Sequence, residues 1–179
     1  MLPQGYDFRR LALDDAAALA AAYGRNREHL RLWEPARPAA FFTEDGQRET
    51  IAGRLDQVSQ GLYDCWLLWH GSDVVGSANL QNVVRGAMQG ADVGYWVDHA
   101  HLRRGLGVAA LEFLVQRGRE LQLHRLGAST MVANLPSQQV LRRCGFEECG
   151  RVPAFLHLDG AWRDSLLFNL VLHDDPPPG

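Results

Sequence analysis

The chain contains no lysine, and all eighteen of its basic residues are arginine. The absence of a Gly-Lys-Ser or Gly-Lys-Thr sequence excludes a nucleotide-binding loop of the Walker type. Cysteine is scarce, and the three that occur (Cys65, Cys144 and Cys149) lack the spacing of a metal site. An odd number of cysteines favours reduced thiols and a cytoplasmic protein. We therefore expect no bound metal and no disulfide.

Long apolar runs are also missing. Residues 1–7 contain no apolar segment typical of a signal peptide, and the alanine-rich run from Ala16 to Ala22 is too short to cross a bilayer. The 179 residues show no repeat and no linker, and this length suits one domain with a sizeable core. We predict a cytoplasmic protein without a membrane segment, with one domain over residues 1–173 and a disordered tail over residues 174–179.

Charge is unevenly distributed along the chain. The net charge is −3, yet residues 101–151 contain eight arginines and four acidic residues, while the rest contains ten arginines and seventeen acidic residues. An anionic ligand would be attracted to the first part and a cationic ligand to the second. A chance partition of surface charge explains these numbers equally well. An isoelectric point near 6.1, without aromatic residues interleaved among the arginines, argues against nucleic-acid binding.

The order of predicted elements indicates a mixed α/β fold. Strands are predicted over residues 6–11, 63–69, 74–80, 91–97, 125–133, 155–158 and 165–172. Helices are predicted over residues 14–22, 27–33, 43–60 and 136–144, and from the glycine pair 105/107 to Leu121. The strands over 63–97 would form an antiparallel meander, whereas the strand over 125–133 follows a helix and would run parallel to its predecessor.

A glycine pair stands between a predicted strand and a predicted helix, in Leu102-Arg103-Arg104-Gly105-Leu106-Gly107-Val108. Glycines let the backbone approach a ligand closely, and the first N–H groups of a helix have no internal partner, so this segment can hold a pyrophosphate. A tight turn that only connects strand and helix is the alternative. The glycines also fit a dinucleotide fingerprint, but the antiparallel strands before them and the lack of an acidic residue after the next strand argue against NAD or FAD.

The order of these segments resembles the GCN5-related N-acetyltransferases. The resemblance rests on Arg-Arg-Gly-Leu-Gly after Val93-Gly94-Tyr95-Trp96-Val97, on Asn134-Leu135-Pro136-Ser137 and on Cys144-Gly145-Phe146. It covers about residues 6–172 and is closer to the branch of ribosomal-protein N-terminal acetyltransferases of the RimJ and RimL kind. It implies a twisted, mostly antiparallel central sheet with a splayed parallel strand pair and flanking helices. It also implies acetyl-CoA as co-substrate and no metal.

The resemblance further implies where acetyl-CoA binds. Backbone groups of Trp96 and Val97 would contact the pantetheine arm between the splayed strands, and Asn134 would bind the same arm or a water. The pyrophosphate would be held by Arg103, Arg104, Gly105, Leu106, Gly107 and Val108. Leu102 stands where the family often has Gln or Arg. At this position we therefore expect acetyl-CoA to be contacted by backbone groups and not by the side chain.

Acetyl transfer needs a neutral amine, stabilisation of the tetrahedral oxyanion and a proton for the leaving thiolate. A backbone N–H near Val97 would meet the oxyanion. Many family members place a tyrosine acid four residues before the Gly-Phe pair, but Leu141 stands there. The branch with this gap has a serine at the position of Ser137, which is therefore the candidate acid. The alternative is that Asn134 and Ser137 only cap the helix.

The base is harder to assign. Asp92 occupies a position where relatives often have an acidic residue and would act through water, although a solvated strand-edge residue is the alternative. His157 and Asp164 are weaker candidates, for which structural roles are favoured. An α-amine is about one tenth neutral at pH 7 and needs little help.

The resemblance implies an acyltransferase that moves acetyl to a primary amine by direct attack on the thioester. The acceptor would be a protein N-terminal α-amine or a small cationic amine such as an aminoglycoside or a polyamine. A sensor that binds acetyl-CoA or CoA without catalysis is the alternative from another class. The oligomeric state stays open, with a homodimer as one candidate.

Overall fold

Seven strands form one sheet in the computed structural model, which describes residues 2–176. The strands are β1 (Tyr6–Arg10), β2 (Asp64–His70), β3 (Asp73–Val84), β4 (Gly90–Val97), β5 (Arg125–Met131), β6 (Glu147–Leu158) and β7 (Ala161–Val171). The helices are α1 (Ala16–Arg25), α2 (Arg27–Arg31), α3 (Glu44–Ser59), α4 (Leu106–Glu120) and α5 (Leu135–Arg143). The spatial order is β1-β2-β3-β4-β5-β7-β6. The β4–β5 pair is parallel and its neighbours are antiparallel, so the predicted mixed fold is confirmed.

The parallel pair is short. Only Gly90 to Asp92 of β4 lie in register with β5. Beyond Asp92, β4 stays paired with β3 up to Val97, and β5 stays paired with β7 up to Met131. The two strands therefore separate and leave a gap in the middle of the sheet, which is the predicted splay.

Helices cover both faces of the sheet. Because side chains alternate along a strand, Tyr95 packs against the cluster beneath α4 and α5, while Trp96 packs against the cluster beneath α1 and α3. Leu111 and Leu114 of α4 are fully buried in the first of these clusters. Their spacing on one helix face is the periodicity seen in the sequence.

Local signals set the ends of the helices. Thr43 begins α3 by accepting a hydrogen bond from the Gly46 N–H at 3.2 Å, and Asn134 begins α5 in the same way with the Ser137 N–H at 3.2 Å. After α5, Gly145 has a φ of +86°, which is the left-handed conformation that favours glycine past a helix end.

The C-terminal hairpin is longer than predicted. The strand expected over residues 155–158 begins at Glu147. Pairing between β6 and β7 is interrupted twice, and Ala154 has a φ of +47°. Gly150 and Pro153 lie in this first half and break the alternation by which a strand is recognised.

The end of helix α2 and the C-terminal tail were also compared with their predicted positions. Helix α2 ends at Arg31, two residues before the predicted boundary at residue 33. In the predicted tail, residues 174–176 are exposed and have no regular structure, and residues 177–179 lie outside the described residues. No helix within residues 2–176 combines the length and apolar character needed to cross a bilayer.

Candidate active site

The gap between the splayed strands opens into a cleft of about 720 Å³. Its walls are the unpaired parts of β4 and β5, the first turns of α4 and α5 and the segment after α2. This volume suits a small-molecule site. Nearly all predicted site residues line it: Trp96, Val97, Arg103, Gly105, Leu106, Gly107, Val108, Asn134 and Ser137. Arg104 and Asp92 do not line it.

The N-terminus of α4 forms one end of the cleft. Gly105 precedes the helix with a φ of +77°, and its carbonyl accepts the first intrahelical hydrogen bond, from Ala109 at 3.0 Å. The three N–H groups between them therefore have no partner inside the helix. The first turn contains no acidic residue. A positive helix end thus faces the cleft, as an anion-binding site requires.

The two arginines before this helix differ in position. Arg103 lines the cleft and adopts a φ of +61°, which is strained for a residue with a side chain. The guanidinium of Arg104 donates to the Tyr6 hydroxyl at 3.3 Å, and this hydroxyl lies 2.8 Å from Nδ1 of His101. Burial lowers the pKa of His101, the charge of Asp98 opposes this, and Arg104 adds to the lowering. The imidazole is therefore neutral near pH 7, and the arginines supply the positive charge.

Two hydroxyl groups meet inside the cleft. The Ser137 Oγ lies 3.3 Å from the Tyr95 hydroxyl. Burial raises the pKa of Tyr95, with the hydrogen bond to Ser137 opposing this, so the phenol stays protonated at neutral pH. Asn134 is the capping residue of α5, whereas the Ser137 side chain faces Tyr95. Tyr95 was not among the predicted site residues, although strand alternation already places it on the face covered by α5.

The remaining predicted candidates are placed as follows. Leu141, at the position of the family's tyrosine, is buried and lines the cleft. The Asp92 carboxylate accepts a hydrogen bond from Asn82 at 2.9 Å, outside the cleft. His157 is exposed and packs against the Trp162 ring. Asp164 accepts hydrogen bonds from Arg151 and the Ala154 N–H and so stabilises the irregular part of the β6–β7 pair.

A second cavity of about 250 Å³ meets the cleft at Leu30 and Glu34, which line both. Its walls come from α2, from the segment around Phe41 and Phe42 and from the β6–β7 turn. Arg27 stacks over Phe42 at 4.5 Å and Arg37 over Phe41 at 4.8 Å. The sequence contains no signal for this cavity, because the β6–β7 turn that completes it is far along the chain from α2.

The buried Thr130 Oγ1 has no hydrogen-bond partner within residues 2–176, and its residue is 5% exposed. Thr130 lines the cleft. Trp96 lines it as well, and its indole packs against the Tyr23 ring. Buried polar groups are normally hydrogen-bonded, so an elongated polar ligand between the splayed strands fits this site. The described residues contain no group of three or more His, Cys, Asp or Glu side chains suited to a metal ion.

Comparisons with known proteins agree with this geometry. The family model described as "Acetyltransferase (GNAT) domain" matches residues 7–147. The [ribosomal protein uS5]-alanine N-acetyltransferase of Escherichia coli (strain K12) is 32% identical over 171 residues, which cover 91% of this chain and 86% of that protein.

Solved structures agree as well. The ribosomal-protein-S5-alanine acetyltransferase from Vibrio fischeri matches with a TM-score of 0.93 and 28% identity, over 99% of this chain and 98% of that chain. Mycobacterium smegmatis RimJ in complex with CoA-disulfide matches with a TM-score of 0.87 and 30% identity, over 93% of this chain and 81% of that chain.

Proposed function

The chain belongs to the GNAT acetyltransferase family, and we propose that it transfers the acetyl group of acetyl-CoA to the N-terminal α-amine of a protein. It is an acetyltransferase related to the enzymes that act on ribosomal proteins. The observation that carries the proposal is the cleft between the splayed strands, which ends at the unpartnered N–H groups of α4.

The residues of the cleft suit the two parts of acetyl-CoA. The first N–H groups of α4 and the Arg103 side chain would hold the pyrophosphate. The edge of β4 at Trp96 and Val97 would contact the pantetheine arm, with Asn134 and the unpartnered Thr130 hydroxyl nearby. When bound, this co-substrate supplies a thioester as the electrophile. A backbone N–H near Val97 would stabilise the oxyanion.

Ser137 is the proposed acid, and its position beside Tyr95 supports that role. A hydroxyl that gives its proton to a thiolate needs a source from which it regains one. The protonated Tyr95 phenol at 3.3 Å can donate to the Ser137 oxygen at that moment. The pair would thus replace the single tyrosine that is absent at Leu141.

Asp92 stays a proposed base that acts through water. Its carboxylate lies outside the cleft beside Asn82, so a proton would have to travel along β4 to reach it. This distance from the cleft makes Asp92 a weaker proposal than Ser137.

The α-amine of an alanine is the proposed acceptor, because the E. coli relative is named for alanine on a ribosomal protein. The local charges argue against an aminoglycoside or a polyamine. The second cavity is lined by Arg27, Arg31 and Arg37 and by only two carboxylates. A polycation would be repelled from this end of the site.

Two measurements test the proposal. Calorimetric titration with acetyl-CoA, with CoA and NAD as controls, is expected to give saturable binding of the first two and none of NAD. Mass spectrometry is then expected to find one acetyl group on an Ala-starting peptide and none on the same peptide with a blocked α-amine. Tight acetyl-CoA binding without transfer to any peptide or small amine would instead support the sensor. Failure of folded protein to bind acetyl-CoA would contradict both functions.

A further inference from the structure

Glu34 stands at the junction of the two cavities. It lines the cleft and the second cavity, whereas the residues around Gly105 at the start of α4 line only the cleft. Among the residues of the described chain that line the cleft, Glu34 is the only one with a carboxylate. An acceptor that enters through the second cavity therefore meets this carboxylate before it reaches the thioester.

The backbone holds Glu34 in place. The Leu30 carbonyl accepts hydrogen bonds from the Trp33 N–H at 2.9 Å and from the Glu34 N–H at 3.0 Å. Pro35 follows, and a helix does not continue through the residue before proline. Glu34 is thus attached to the end of α2, and its position does not depend on a free loop.

The surroundings favour proton uptake by Glu34. Burial raises the pKa of its carboxyl above the ordinary value, and the charges of Arg37 and Arg54 oppose this rise. Arg37 stacks over Phe41, and the buried Arg54 side chain lies beside Tyr23. The other charged or titratable groups around the second cavity are Tyr23, Arg27, Arg31 and Asp159, and the last two form an ion pair.

We propose, on the basis of the proposed function, that Glu34 binds the ammonium group of the acceptor and removes its proton. A half-buried carboxylate attracts a cation more strongly than an exposed one, because the surroundings screen the charges less. Arg27 and Arg37 also line the second cavity and would repel a cation there. Glu34 is the one carboxylate of the described chain that lines the cleft, so the cationic end of the acceptor has one attractive position, at Glu34.

The proton transfers balance in this scheme. One proton of the ammonium moves to the Glu34 carboxylate and then to solvent. The nitrogen lone pair forms the C–N bond with the thioester carbon, the C–S bond breaks, and its electron pair stays on sulfur. The thiolate takes the Ser137 proton, and Tyr95 returns a proton to Ser137. A second proton lost by the nitrogen then restores the Tyr95 phenol.

Steady-state kinetics with an Ala-starting peptide from about pH 6 to about pH 9 test this role. The variant is Glu34→Gln, with Glu49→Gln as control, because Glu49 is exposed on α3 and lines neither cavity. At the acidic end we expect Glu34→Gln to lose about 10²-fold in kcat/KM. This loss shrinks as pH passes the α-amine pKa of about 8, since the peptide then supplies a neutral amine itself. Acetyl-CoA affinity stays unchanged.

Each outcome decides a different question. Partial recovery in Glu34→Asp supports the proposal, since a carboxylate is restored. Kinetics equal to those of Glu49→Gln overturn it and leave the acetyltransferase function intact. A loss that is independent of pH and accompanied by a lower melting temperature indicates a structural role and also overturns it. The same pH-dependent loss in Asp92→Asn, with Glu34→Gln unaffected, assigns the base to Asp92. A parent protein that binds acetyl-CoA but acetylates no peptide refutes the proposed function itself.

Discussion

The hydroxyl groups of Tyr95 and Ser137 lie 3.3 Å apart and join β4 to the first turn of α5 inside the cleft. Forty-two residues separate them in the chain. The contact places a protonated phenol within reach of the serine that is proposed to protonate the thiolate, so the phenol can return a proton to that serine.

We expect Ser137→Ala to lower turnover by about 10²-fold with little change in acetyl-CoA affinity. Tyr95→Phe should lower turnover less, because Ser137 can regain its proton from water. The double variant should be no slower than Ser137→Ala, since both residues serve one proton transfer. Stopped-flow or steady-state thiol release measures turnover, and Ser59→Ala, exposed at the end of α3, is the control. Additive losses would contradict a shared role.

Gly105 and Gly107, the glycine pair at the start of α4, should respond differently to substitution by alanine. Gly105→Ala should lower the free energy of unfolding by about 1 kcal/mol, because φ is +77°. A Cβ on Gly107 would lie in ordinary contact, 3.5 Å from Val140 and 3.6 Å from Tyr95. Gly107→Ala should therefore keep or raise stability and weaken acetyl-CoA binding, because the methyl group enters the cleft beside Tyr95.

Urea unfolding and calorimetry separate these two effects. Gly53→Ala is the matched control, because Gly53 lies within α3 with open space at its Cβ. Gly53→Ala should raise the free energy of unfolding by up to about 1 kcal/mol, with no change in acetyl-CoA affinity. Unchanged acetyl-CoA affinity in both Gly105→Ala and Gly107→Ala would favour the tight-turn interpretation of this segment.

The end of β4 is held by a buried carboxylate. Asp98 is 1% exposed and accepts hydrogen bonds from Arg25 at 2.5 Å, from Asn26 at 2.8 Å and from the Ala100 N–H at 2.9 Å. Burial raises its pKa, but these hydrogen bonds together lower it below the ordinary value. We expect Asp98→Asn to lower the free energy of unfolding by about 3 kcal/mol. The control Asp7→Asn, at an exposed residue, should lower it by at most about 1 kcal/mol.

The sign of the pH dependence follows from the lowered pKa of Asp98. The folded carboxyl binds a proton less readily than the unfolded one, so its stabilising effect is present above the unfolded pKa of about 4 and is lost on acidification below it. Urea unfolding of the parent from about pH 6 to about pH 3 should show this loss, and Asp98→Asn should show less of it. Equal acid sensitivity in both proteins would refute the assignment.

Alkaline pH should also destabilise the fold. Burial raises the pKa of the Cys65 thiol to about 11, with Arg54 opposing and Asp64 adding to the rise. Between the unfolded pKa of about 8.5 and the folded one, the unfolded chain loses a proton that the folded chain keeps. The free energy of unfolding therefore falls as pH rises through this range.

Urea unfolding at about pH 8 and about pH 10 measures this fall. Cys65→Ala should reduce it but not abolish it, because burial also raises the pKa of Tyr63, to about 12. Cys149→Ala is the control, since this thiol is exposed. A fall of the same size in all three proteins would show that Cys65 does not contribute.

Much of the site could be predicted where the chemistry is local in the chain. The segment 102–108, which is proposed to hold the pyrophosphate, is a run of seven consecutive residues, and the capping residue Asn134 directly precedes the helix it begins. By contrast, the first half of β6 was missed because its irregular pairing depends on Asp164, a residue of another strand. The strand motif around Tyr95 indicates no role for the phenol, since its partner Ser137 is far along the chain.

The sequence by itself determined the order of helices and strands, the glycine pair at the start of α4 and the family, because periodicity, helix ends and backbone conformation depend on neighbouring residues. Only the tertiary structure decided that Tyr95 faces Ser137, that Asp92 lies outside the cleft and that Glu34 meets both cavities. These relationships arise where β4 separates from β5 and where α2 approaches the β6–β7 turn. They depend on the packing of segments far apart in the chain, for which a single sequence carries no periodic signal.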